Sequence, residues 1–114
     1  MKIIKENILR EIFPEAGEFG RGGNEINGLS KDTIPQNCTI LKTTPSPWQD
    51  RRTFYCLVYN HPEFKIAIDL RICKTMAGSV FSEFVVIHNF EEIDIETNNE
   101  KILKESYAFR ISEC

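Results

Sequence analysis

The chain has 114 residues, of which 41% are hydrophobic and 27% charged, with a formal net charge of -3. That length and balance predict a single domain over residues 1–114 built on one core, and they exclude a chain too polar to fold. The acidic balance counts against a general nucleic-acid binder, which needs an excess of positive charge on one face.

The opening Met1-Lys2-Ile3-Ile4-Lys5-Glu6 is charged within a few residues. Neither a signal peptide nor a membrane span is expected, and the cytoplasm is the expected compartment. Residues 2–13 read as an amphipathic helix: Ile4, Ile8 and Ile12 recur every four residues, and Leu9 and Phe13 widen the same arc. Pro14 ends it, because a proline has no N–H to donate and pushes the residue before it out of the helical region.

Residues 14–50 hold four of the five prolines and five of the six glycines, so they read as a long Gly/Pro-rich loop. Only Cys38–Lys42 looks like a short strand. The cluster Gly17-Glu18-Phe19-Gly20-Arg21-Gly22-Gly23 lacks the Gly-Lys-Ser/Thr of a phosphate loop and reads as a surface loop.

Thr53–Asn60 begins a meander, and Asn60-His61-Pro62-Glu63 turns it into a second strand. From Phe64 to Lys74, Phe64, Ile66, Ile68, Leu70 and Ile72 alternate with Lys65, Ala67, Asp69, Arg71 and Cys73, which marks a half-buried antiparallel strand. A short turn places Tyr55, Leu57 and Tyr59 on the face of Ile66 and Ile68. Val80–His88 is a third strand, with Arg71 expected opposite Glu83. A fourth runs through Phe90, Ile93 and Ile95 with an acidic outer face. Glu100–Ser112 reads as a helix capped by Asn98 or Asn99 and extending to about Ser106, or as a strand through Tyr107, Phe109 and Ile111. The fold class expected is α+β: an N-terminal helix packed on a three- to four-stranded antiparallel meander, with a C-terminal helix or strand.

Charge is segregated along the chain. Residues 1–50 carry six Lys+Arg against seven Asp+Glu, residues 51–76 five against two, and residues 77–114 three against eight. Two surfaces follow as candidates for partner binding. Glu91, Glu92, Asp94, Glu96 and Glu100 form an acidic set, with Glu92, Asp94 and Glu96 on one side of a strand; Trp48, Arg51 and Arg52 form a basic, aromatic spot. The acidic set reads either as a charged edge that prevents aggregation or as a landing surface for a basic protein.

Catalytic constellations are weaker. Asp50 with Glu63-Phe64-Lys65 resembles the ligand set of a metal nuclease only in residue type, because a strand of about ten residues at roughly 3.3 Å each holds the two carboxylates about 30 Å apart. Asp69, Arg71 and Glu83 are a possible sheet-face acid-base group, otherwise a solvated ion-pair cluster. His61 and His88 have no zinc-type spacing to each other or to Cys38, Cys56, Cys73 and Cys114, which read as reduced thiols. Cys114, at the terminus, reads as exposed. No cofactor, metal or catalytic residue is assigned.

The function expected is a small non-catalytic binding protein, such as an inhibitor or immunity-type protein that masks a basic partner, itself a nuclease in one version, through the acidic surface. The alternatives are a metal-assisted hydrolase or nuclease with a sheet-face carboxylate site, and a nucleic-acid-binding module using Trp48, Arg51 and Arg52.

Overall fold

The computed structural model describes residues 3–30, 32–48 and 50–112. They form α1 (Lys5–Ile12), β1 (Phe19–Gly20), a 3-10 turn (Arg21–Gly23), β2 (Glu25–Leu29), β3 (Thr39–Pro45), β4 (Arg52–Asn60), β5 (Lys65–Ala77), β6 (Val80–Ile93), α2 (Asn99–Lys104) and α3 (Tyr107–Ser112). The strands join one antiparallel sheet in the order β1-β2-β6-β5-β4-β3. The α+β class stands, but the sheet has six strands rather than three or four. No helix among the described residues is long and apolar enough to cross a membrane. Cys114 lies outside the described residues.

Period-two alternation in β4 and β5 becomes register directly. Leu57 pairs with Ile68 and Tyr59 with Ile66, which puts the expected side chains on one face. Ile8, Leu9, Ile12 and Phe13 of the α1 segment bury there against Leu57, Ile66, Ile68, Leu70, Ile72 and Val85. Ile4, expected on the same arc, is instead the residue before the first turn and is exposed. The Tyr59 hydroxyl donates to the Glu11 carboxylate, which ties helix to sheet and, with burial, pushes the phenol up to about 12.

The other face is also covered. Phe54, Cys56, Val58 and Ala67 bury against Ile102, Ala108 and Ile111 of α2 and α3, so the sheet separates two apolar clusters where one core was expected. These odd-parity positions in β5 looked solvent-facing because they are small or polar. Small side chains are what let two short helices sit close on a sheet.

Residues 14–50 are mostly irregular, as expected, but they hold three short strands, of which β3 overlaps the one read at Cys38–Lys42 and β1 and β2 were not expected. Their prolines and glycines punctuate short strands. Gly28 has φ +81° and a Cβ there would come within 3.1 Å of the Gly17 Cα, so two glycines let the chain cross itself where Gly17 N–H donates to the Asn27 carbonyl.

The third and fourth strands expected are one strand. Asp69 pairs with Asn89 and Leu70 with Ile87, which leaves His88 as an extra residue in a bulge. The bulge changes parity, so Val85, Ile87 and Phe90 all keep to the α1 face although their spacing does not alternate. The tight turn between Ala77 and its partner Val80, not the bulge, sets Glu83 opposite Lys74 rather than Arg71, which pairs with Val86. β6 stops at Ile93, and Asp94 turns the chain by accepting the Glu96 N–H at 2.9 Å. Glu92, Asp94 and Glu96 therefore do not align along a strand. Residues 100–112 are two helices, with Asn98 Oδ1 accepting the Lys101 N–H at 2.8 Å as the cap of the first.

Replacing Gly28 by alanine is expected to destabilise the protein by more than about 1 kcal/mol, because it combines a left-handed φ with a backbone collision. Urea unfolding of the two proteins checks this.

Candidate functional site: a polar cleft between the sheet and the C-terminal helices

A cleft of about 760 Å³ opens where β5 and β6 run past α2 and α3. Its floor is Ala67, Asp69 and His88, its helical wall Lys101, Ile102, Glu105, Tyr107 and Arg110, and its rim Glu91, Glu92 and Asp94. Asp69 is placed by β5 and stays 8% exposed beneath α3. Its Oδ2 accepts the Tyr107 N–H at 3.3 Å, while Ser106 Oγ accepts the Phe109 N–H at 3.1 Å, so both side chains satisfy donors of the first turn of α3. Thr44 completes the seat by donating to the Ala108 carbonyl at 2.9 Å.

Burial pushes the Asp69 carboxyl above its ordinary value, against the opposing pull of the Tyr107 amide, the Cys56 thiol and Arg110. Cys56, beside it, is raised to about 11 mainly by burial and stays a protonated thiol with a packing role. His88 is lowered by burial and secondarily by Arg71, so its imidazole is neutral at pH 7. The ring lies among Tyr107, at 5.1 Å between centroids, and Phe54, at 6.3 Å. His61 is elsewhere, stacked on Phe64 at 4.0 Å in the β4–β5 turn.

The structure divides the residues singled out from sequence. Glu91, Glu92 and Asp94 border the cleft, Glu96 lies in the turn after β6, and Glu100 lies outside the cleft on α2. Trp48, Arg51 and Arg52 gather at the far end of β4, about six residues or roughly 20 Å along the strand from Val58, the Ala67 partner. There the Arg52 guanidinium lies 4.9 Å over the exposed Trp48 ring and is held by Asp50, with Nε to Oδ2 at 2.8 Å. That pairing pulls the Asp50 carboxyl down to about 2. Asp50 and Glu63 sit at opposite ends of β4, so the nuclease-like set is not assembled.

The group of Asp69, Arg71 and Glu83 is also not assembled. Asp69 and Arg71 face the C-terminal helices, whereas Glu83 faces α1, 2% exposed, where its Oε2 accepts the Thr33 N–H at 3.1 Å and Lys74 approaches to 3.6 Å. Among the described residues no three His, Cys, Asp or Glu side chains converge on a point where a metal could sit. Sequence reasoning did not place Lys101, Glu105, Tyr107 and Arg110 in a site, because their convergence depends on the break between α2 and α3, and the only local signal for it was the pair of overlapping patterns in residues 100–112.

Comparison with models of known families, with curated proteins and with solved structures gave no match.

The raised Asp69 pKa has a definite sign. The folded state holds its proton above 3.8, where the unfolded chain releases it, so this group's contribution to stability falls as pH rises through that window and returns on acidification. Asp69→Asn, which cannot ionise but still accepts the Tyr107 N–H, is expected to remove that slope and to be at least as stable as the parent at pH 7. Asp69→Ala leaves the amide unpaired and is expected to cost about 1–3 kcal/mol. Urea unfolding between pH 4 and 7 checks both. In a proton NMR titration His88 is expected to ionise below 6.5.

Proposed function

We propose that this chain is a non-catalytic binding protein that seats a basic segment of a protein partner in the cleft, as an inhibitor or immunity-type protein masking that partner would. The observation that carries the reading is the charge of the lining: Asp69, Glu91, Glu92, Asp94 and Glu105 against Lys101 and Arg110. A recess whose charged groups are mainly carboxylates focuses a negative field outward, which speeds encounter with a cationic surface and penalises an acidic one. Glu91 and Asp94 are exposed and available to meet lysine or arginine. Cys56, the thiol beside Asp69, is spent on packing, which supports binding over nucleophilic chemistry.

One observation favours a second reading, acid-base chemistry at Asp69: a carboxyl with a raised pKa on the floor of an open cleft is the environment of many catalytic acids. The two separate experimentally. Affinity capture from the native cell is expected to recover a basic protein with the parent chain and to lose it with Glu91→Lys/Asp94→Lys. Asp69→Asn is expected to retain it. Recovery unchanged by charge reversal, or recovery of no protein at all, overturns the binding reading.

A further inference from the structure

A second recess, of about 530 Å³, lies beside the start of β4 and is lined by Asp50, Arg51, Arg52, Arg71, Cys73 and Phe84 among others. Three arginines meet there against one carboxylate. Asp50 is already committed to Arg52, accepting its Nε at 2.8 Å and its backbone N–H at 3.1 Å. Among the described residues neither Arg51 nor Arg71 is in an ion pair. The Arg71 Nε–H is buried and has no hydrogen-bond acceptor.

Arg71 lines a recess walled by Phe84 and Cys73 whose one carboxylate, Asp50, is committed to Arg52, while the Arg71 Nε–H stays buried without an acceptor. Leaving such a group without an acceptor is costly, and an anion with several acceptor oxygens removes that cost. Water offers one oxygen and no charge. A planar guanidinium fork matches the paired oxygens of phosphate.

We infer that this recess is a binding site for a phosphate-type oxyanion, held by Arg71 with Arg51 closing over it, and with Arg52 fixed by Asp50 as the adjoining wall. The site adjoins the acidic cleft, since Arg71 is two residues from Asp69 on the same face of β5, but it stands whether or not a basic protein binds in that cleft. Its ligand is free phosphate or the phosphate group of a small ester. Trp48, 55% exposed and packed edge-on to Phe54 at 6.4 Å, carries the Arg52 guanidinium over one ring face, so the remainder of a nucleoside ester reaches it by displacing that contact or on the opposite face.

The test is titration of the full chain with inorganic phosphate, and separately with adenosine monophosphate, against sodium chloride of matched ionic strength. The arginine Nε–H signals are followed by NMR, and the fluorescence of the single tryptophan serves as a second readout. Saturable shifts at Arg71 and Arg51 are expected, weakened about tenfold or more in Arg71→Gln and in Arg51→Gln. Arg51 is exposed, so its variant decides the matter if Arg71→Gln does not fold. Tighter binding of the nucleotide, with a change in Trp48 fluorescence, assigns the site to phosphate esters, whereas equal affinity assigns it to free phosphate. Shifts no larger than those in chloride, or affinities equal in parent and Arg51→Gln proteins, overturn the proposal.

Discussion

Everything else in this fold depends on β4 and β5 being buried on both faces. The two strands pair over nine residues, from Arg52 opposite Cys73 to Asn60 opposite Lys65, and the peptide groups between them are thereby satisfied without water. One face carries branched aliphatic side chains and receives α1. The other carries Phe54, Cys56, Val58 and Ala67 and receives two helices of six residues each. Helices that short are not stable by propensity, so they exist because the sheet gives their apolar residues somewhere to go.

Two-sided burial also sets the chemistry of the cleft. Asp69 lies on a central strand beneath α3, and the displacement of water that stabilises the helix is what raises its carboxyl. The same desolvation keeps Cys56 protonated and His88 neutral. Asp69 and Ser106 seat the first turn of α3, so the helix start has structural partners already. The His88 bulge contributes twice, since it keeps Phe90 on the α1 face and sets an imidazole on the cleft floor.

The sheet converts a charge gradient along the chain into two adjoining surfaces of opposite sign. Arg51, Arg52 and Arg71 come from the basic middle of the sequence and meet across β4 and β5, whereas Glu91, Asp94 and Glu105 come from its acidic last third and meet around the cleft. The two adjoin at Arg71, which stands two residues, roughly 7 Å, from Asp69 on one strand face and helps to lower His88 on the cleft floor, whereas Arg52 lies about 20 Å along β4 from Val58, the partner of Ala67.

The local patterns that survive folding are those with a short-range cause. Pro14 ends α1, Asn98 caps α2, and strict alternation from Phe64 to Ile72 becomes the central strand with the expected face inward. Each follows from backbone sterics or from the two-residue period of a strand, which act within a few residues. What the tertiary structure alone decided is long-range. Alternation identifies which side chains share a face but not what covers the second face, so Ala67 and Asp69 looked solvent-facing until α2 and α3 folded over them. Register has the same limit: the tight turn between Ala77 and Val80 sets Glu83 opposite Lys74 instead of Arg71, and one bulged residue at His88, announced by no local signal, reverses parity for Phe90. Residues 14–50 repeat the lesson in part: β3 overlaps the strand read at Cys38–Lys42, whereas the five-residue β2 is too short to show a period and takes strand form against β6, far off in sequence. Sequence by itself determined the α+β class, the central hairpin and the segregation of charge; only the folded sheet decided which charges meet.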